Sequence, residues 1–244
     1  MGLIKSCKIS KMTADLKEGI ENLYTTFSIY PFKPKMEGCP CCVSNGDKEK
    51  LHSKQLRELD GEDLSRYAFK AMTTWGDVDD FKHYMPRIFE LVVTTDFIVD
   101  TSVTLGKLDY GKWKNWPGTE KKAVSQFLYA WWSDLIKHKS YFDNEAFCTI
   151  YKLTGDIELL LNHWTFSFTD NSFLNFVDLI YEYYSDLMGR RKNFREMDDS
   201  SIEKILQWLK KNSGLLEKGF FKYADKDNEL AAKISTSQSL LERT

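Results

Sequence analysis

The sequence predicts an all-α fold, either an irregular multi-helix bundle or a short helical-repeat-like array, on three observations. Apolar residues return every three or four positions in one segment after another. Only five prolines and 13 glycines interrupt the 244 residues. Residues suited to helix N-caps stand just ahead of several of the periodic segments.

The first segment places Leu16, Ile20, Leu23, Phe27 and Tyr30 on one face, with Thr13 as N-cap and Pro31 and Pro34 as the stop. The loop 33–46 follows. A second helix is expected from Asp60 through Leu64, Tyr67, Ala68, Ala71 and Trp75, with Gly76 as its C-terminal stop. Asp77 caps the next stretch, and Pro86 opens a new helix towards Val93. The β-branched run up to Val99 reads as a buried helix, because no partner strand is visible. The longest helix is expected over 119–138, then helices over 144–153, 157–164 and 172–188. Ser200 and Glu203 have the spacing of a capping box ahead of Ile202, Ile205 and Leu209. Segments 215–223 and 227–244 add two more, the last sparse enough in apolar positions to fray. No Gly-, Ser- or Pro-rich linker divides the chain, so residues 1–244 are expected to form one domain.

Composition narrows the function. Hydrophobic residues make up 42% and aromatic residues 14%, enough for a substantial core. A net charge of −2 lacks the basic excess of a dedicated nucleic-acid binder. No run approaches the ~20 apolar residues that a membrane span needs, and Met1–Ser10 lack the apolar heart of a secretory signal. A cytoplasmic protein with reduced cysteines is the expectation.

Of the five cysteines, three crowd into Gly38-Cys39-Pro40-Cys41-Cys42. Cys39 and Cys42 form a C-x-x-C pair, the spacing with which one turn offers two thiolates to zinc. A closed zinc site needs two further ligands. Cys41 and His52 are nearest in sequence, with Cys7 and Cys148 further off. Redox chemistry would require the pair at a helix start behind a strand, which Pro31-Phe32-Lys33-Pro34-Lys35 does not provide. A loop of inert thiols is the competing reading.

The stretch from Thr73 to Arg87 gathers acids, a histidine and an arginine at a helix junction. Asp79 or Asp80 stands three or four positions from His83, a spacing that can share a proton or a metal ion. Capping by the acids and packing by Trp75, Phe81 and Tyr84 explain the same residues without chemistry. Trp75, Asp79, Asp80, His83 and Arg87 are the residues of a second candidate site, that of a metal-dependent enzyme.

Cys39 with Cys42, then Leu56, Leu59, Tyr67, Ala71, Thr74-Trp75-Gly76, Asp80-Phe81-Lys82-His83 and Pro86-Arg87, resemble a group of uncharacterised bacterial proteins over residues 39–91. The resemblance implies a bacterial, cytosolic protein whose cysteine loop and Trp-Gly-Asp junction form one unit. It implies no catalytic roles.

Three weaker signals remain. Trp113 and Trp116 lie among lysines, as in loops that stack bases, although such tryptophans more often fold back on their own core. Arg190, Arg191, Lys192 and Arg195 form a small basic patch. His138 and His163 stand near helix ends. Neither nucleotide-binding glycine motifs nor the common hydrolase and metalloprotease motifs occur. The expectation is a non-catalytic helical scaffold that binds a protein partner and carries a small structural zinc site.

Overall fold

The computed structural model describes residues 12–95, 97–190 and 192–242. Among them the chain is all-α, and the only β-pairing is two isolated bridges, Gly38 to Trp75 and Ala71 to Trp75. The residues pack as two compact units, with the division between Trp131 and Trp132. No helix of the described residues is long and apolar enough to cross a membrane.

The unit ending at Trp131 begins with α1 (Ala14–Phe27), α2 (Asn45–Leu51) and α3 (Gly61–Lys70). It continues with α4 (Val78–Thr94), α5 (Thr101–Tyr110) and the first part of α6 (Gly118–His138). Helix α1 forms as its spacing demands: Thr13 accepts the Leu16 N–H, and Leu16, Ile20, Leu23 and Phe27 are buried. The rings of Phe89 and Phe127 stack at 5.3 Å, joining α4 to α6.

Three expectations about the middle of this unit need correction. The run up to Val99 is not one buried helix: α4 ends at Thr94, residues 97–99 are not helical, and Ile98 is 84% exposed because no element covers it. Helix α3 stops at Lys70 rather than running to Gly76. Residues 71–76 form a tight turn in which Met72 adopts φ 62° and its N–H donates to Trp75 O at 2.9 Å. Gly76 takes φ 71°, where a side chain would be strained. Pro86 does not start a helix but lies inside α4, which runs unbroken from the Asp77 cap. An interior proline costs roughly 3 kcal/mol. Burial of Met85, Pro86, Ile88 and Phe89 on this helix offsets that loss. Helix α5 was not expected from the sequence. Its buried residues include Thr104 and Lys107, so no clean apolar stripe marks it. The buried Lys107 ammonium donates to Ala71 O at 3.0 Å and so ties α5 to the turn after α3.

Lys82 and Glu120 form a buried ion pair between α4 and α6, with Nζ 2.7 Å from Oε2. Tyr30 closes the network, accepting from Lys82 at 2.8 Å and donating to the other Glu120 oxygen at 2.6 Å. The Lys82 ammonium also lies 4.5 Å from the Trp116 ring centre. Trp113 and Trp116 are both buried, and the Trp116 indole N–H donates to Gly111 O. These two tryptophans belong to the core and offer no face to a base.

The unit from Trp132 contains the end of α6, then α7 (Asn144–Thr154) and α8 (Ile157–Asn162). It adds α9 (Ser172–Ser185), α10 (Asp199–Lys211), α11 (Gly214–Tyr223) and α12 (Asn228–Glu242). Its centre is aromatic. Trp132, Phe142, Phe147 and Trp164 meet at ring distances of 5.1 to 6.1 Å, and Trp164 continues to Trp208 at 5.1 Å. A Cβ on Gly219 would lie 2.0 Å from Phe173, so only glycine lets α11 approach α9 this closely. The cap of α10 is Asp198, which accepts the Ser201 N–H at 2.7 Å, two residues ahead of the expected Ser200. Helix α12 packs on α9 through buried Ile234 and the Lys233–Asp178 pair. His138 pairs with Asp134, and His163 Nδ1 lies 3.3 Å from Ser133 Oγ. Within the basic patch, the Arg190 side chain and Arg191 lie outside the described residues, as does Cys7.

Candidate metal centre

The cysteine loop is held by backbone bonds to the turn between α3 and α4. Cys39 N–H donates to Thr74 O, and Gly76 N–H donates to Glu37 O, both at 2.8 Å. The antiparallel bridge between Gly38 and Trp75 lies between these bonds. Trp75 is buried and packs edge-on against Tyr67 at 5.3 Å. The structure thus joins the cysteine loop and the Trp-Gly-Asp junction.

Within the loop, Cys42 N–H and Val43 N–H both donate to Cys39 O at 2.9 Å, forming a tight turn around Pro40. The turn brings three sulfurs together. Cys39 Sγ lies 2.9 Å from Cys41 Sγ, which lies 3.6 Å from Cys42 Sγ. All three fall within 4.8 Å of one another, close enough to hold a metal ion. Lys70 and Arg66 of α3 both donate to Cys42 O, Arg66 at 3.4 Å. Arg66 is itself held by Asp47 at 2.9 Å. Neither cation was singled out in the sequence, since both act through a backbone carbonyl that no motif encodes.

The three thiols are chemically unequal. A hydrogen bond from the Cys41 thiol, helped by the Cys41 backbone N–H and the Cys42 thiol, lowers the Cys39 pKa. The same contacts with Cys39 and Cys42 push the Cys41 thiol up to about 11. Cys39 therefore ionises before Cys41, and the thiolate is the form that binds a metal. Cys41 is exposed and the other two are half-buried.

His52 is not part of this cluster. It ends α2 with its ring edge-on to Phe32 at 4.8 Å. Burial, with the nearby Lys48 charge, lowers its pKa, and its Nε2 is buried without a hydrogen-bond partner. Cys148 lies in the other unit, where its thiol donates to Asn193 O, and burial pushes it up to about 12.

The second set of residues does not converge. Asp80 is buried and caps α4, accepting Asp77 N–H at 2.9 Å while Asp77 accepts Asp80 N–H at 2.8 Å. Lys33 of the cysteine loop pairs with both carboxylates, at 3.0 and 3.2 Å. Burial works against ionisation of Asp77, but the Asp80 N–H and Lys33 outweigh it and hold its carboxyl below the usual range. Asp79 is exposed. Arg87 donates to Leu59 O and Glu90, both at 2.7 Å, and fastens the segment before α3 to α4. His83 Nδ1 lies 2.9 Å from Tyr30 O. A carbonyl only accepts, so Nδ1 carries a proton and donates this bond. His83 and His52 line an open pocket of about 580 Å³ with Phe32 and Tyr84.

Capping and packing account for Trp75, Asp80 and Arg87, which leaves the three sulfurs as the arrangement best suited to ligand chemistry. No family model, no curated protein and no solved structure matches the chain.

Proposed function

We propose that the chain is a non-catalytic helical scaffold that holds one metal ion on Cys39, Cys41 and Cys42, where a protein partner can reach it. The observation that carries this reading is the grouping of three sulfurs within 4.8 Å on one tight turn. The backbone bonds to Thr74 and Gly76 support it, because they fix the turn by means other than the ion. Exposed Cys41 leaves the ion open to a partner's ligands. A structural zinc site is usually closed by four ligands and folds with its metal. An exposed site on a turn already fixed by the fold suits an ion that is carried and exchanged.

The test is titration of the reduced protein with Cd(II), read by thiolate-to-metal absorption and native mass spectrometry. One ion per chain is expected. Cys39→Ser, Cys41→Ser and Cys42→Ser should each weaken binding by more than the 10–100-fold that loss of an outer-shell partner costs, with unchanged helical circular dichroism. Binding that survives all three substitutions would refute the reading.

A further inference from the structure

We infer that this site selects a soft ion satisfied by three thiolates, of the trivalent arsenic or monovalent copper kind, over tetrahedral zinc. The inference rests on the metal-site reading above and names the class of ion.

The three sulfurs come from four consecutive residues, so they approach an ion from one side only. Their spacing is tight. In a zinc tetrahedron with Zn–S bonds near 2.3 Å, the sulfurs stand about 3.8 Å apart. Here the separations from Cys41 Sγ are 2.9 and 3.6 Å. Two separations this short suit trivalent arsenic, which sits above three sulfurs in a pyramid, whereas softness alone draws Cu(I) to the site. The bonds from Cys39 N–H to Thr74 O and from Cys42 N–H to Cys39 O fix the main chain from which the three sulfurs project. Lys70 and Arg66 hold the same turn at Cys42 O. An all-sulfur set also favours the softest ions.

With arsenous acid the chemistry is ligand exchange. Three As–O bonds break, three As–S bonds form, and the three hydroxyl groups leave as water with the three thiol protons. Arsenic stays trivalent. With Cu(I), the ion replaces thiol protons and no electron moves.

The experiment offers the reduced full chain arsenite, or Cu(I) held by a chromophoric chelator, each with and without Zn(II) in roughly tenfold excess. Native mass spectrometry should show one arsenic less three protons, or one copper, and zinc should not displace it. Cys41→Ser should abolish the arsenic adduct, whereas Cys7→Ser should leave it intact. Loss of the adduct in Cys7→Ser would mean that a fourth sulfur completes the set, and would overturn the inference. Zn(II) or Cd(II) binding through the same three cysteines, while displacing arsenic and copper, would also overturn it but leave the metal site standing. If no ion binds a chain whose circular dichroism is intact, both readings fall. Binding of arsenic alone or of copper alone supports the inference and tells the two ions apart.

Discussion

Gly38 and Trp75 form an antiparallel bridge, so the residue before the first cysteine is paired with one of the most deeply buried tryptophans. The shape of the cysteine turn therefore depends on packing beneath it. Trp75→Ala should cost about 3–5 kcal/mol, the usual range for deleting a buried aromatic ring. Urea denaturation measures the loss. Cd(II) affinity should fall in the same variant even under conditions where it remains folded. A variant that is destabilised but binds with native affinity would show that the turn holds itself.

Lys82 and Glu120 supply a second stability prediction. Both side chains are buried, at 7% and 2% exposure, so removing one partner strands a charge. Lys82→Met or Glu120→Leu should each cost about 3–5 kcal/mol, and the double change that combines them should recover much of the loss. A thermodynamic cycle by chemical denaturation reads the coupling. Additive losses would mean that the pair does not act as a unit.

The fold class and most helices are legible in the sequence because burial of one face imposes its own spacing. Leu16, Ile20, Leu23 and Phe27 show this in α1, and Val124, Phe127, Leu128 and Trp131 show it in α6. What is not legible depends on partners distant in the chain. Trp75 reads as one more helical position, and only its pairing with Gly38 turns it into the pivot of a loop. Pro86 reads as a boundary because the packing that outweighs it lies on other elements. The candidate site is half legible. The crowding of Cys39, Cys41 and Cys42 is visible, whereas the grip of Lys70 and Arg66 on Cys42 O is not. His52 is near in sequence but faces Phe32 instead.

His52 gives a pH prediction with a defined sign. Burial and Lys48 lower its pKa below the ordinary 6.5, so the folded state favours the neutral ring. Above pH 6.5 both states are neutral and the residue contributes nothing. As pH falls below 6.5 the unfolded chain takes up the proton first, and stability is lost until the lower folded pKa is passed. His52→Gln should therefore lose less stability than the parent between pH 7.5 and pH 5, in denaturation midpoints taken at about those values. Parallel losses would contradict the assignment.

Cys148 and the loop cysteines should differ in reactivity. With its pKa pushed up to about 12 by burial, Cys148 holds almost no thiolate at pH 8. Brief alkylation of the native protein with iodoacetamide should label Cys39 in preference, because its thiol is shifted down. Peptide mapping should recover Cys148 unmodified until denaturant is added. Equal labelling of the two would disprove the difference in environment.

The central claim is that Cys39, Cys41 and Cys42 ligate one ion together. X-ray absorption of the metal-loaded protein counts sulfurs around the ion directly. The account predicts a first shell of three sulfurs that collapses in Cys41→Ser. A shell made mainly of nitrogen and oxygen, or one unchanged by that substitution, would contradict it.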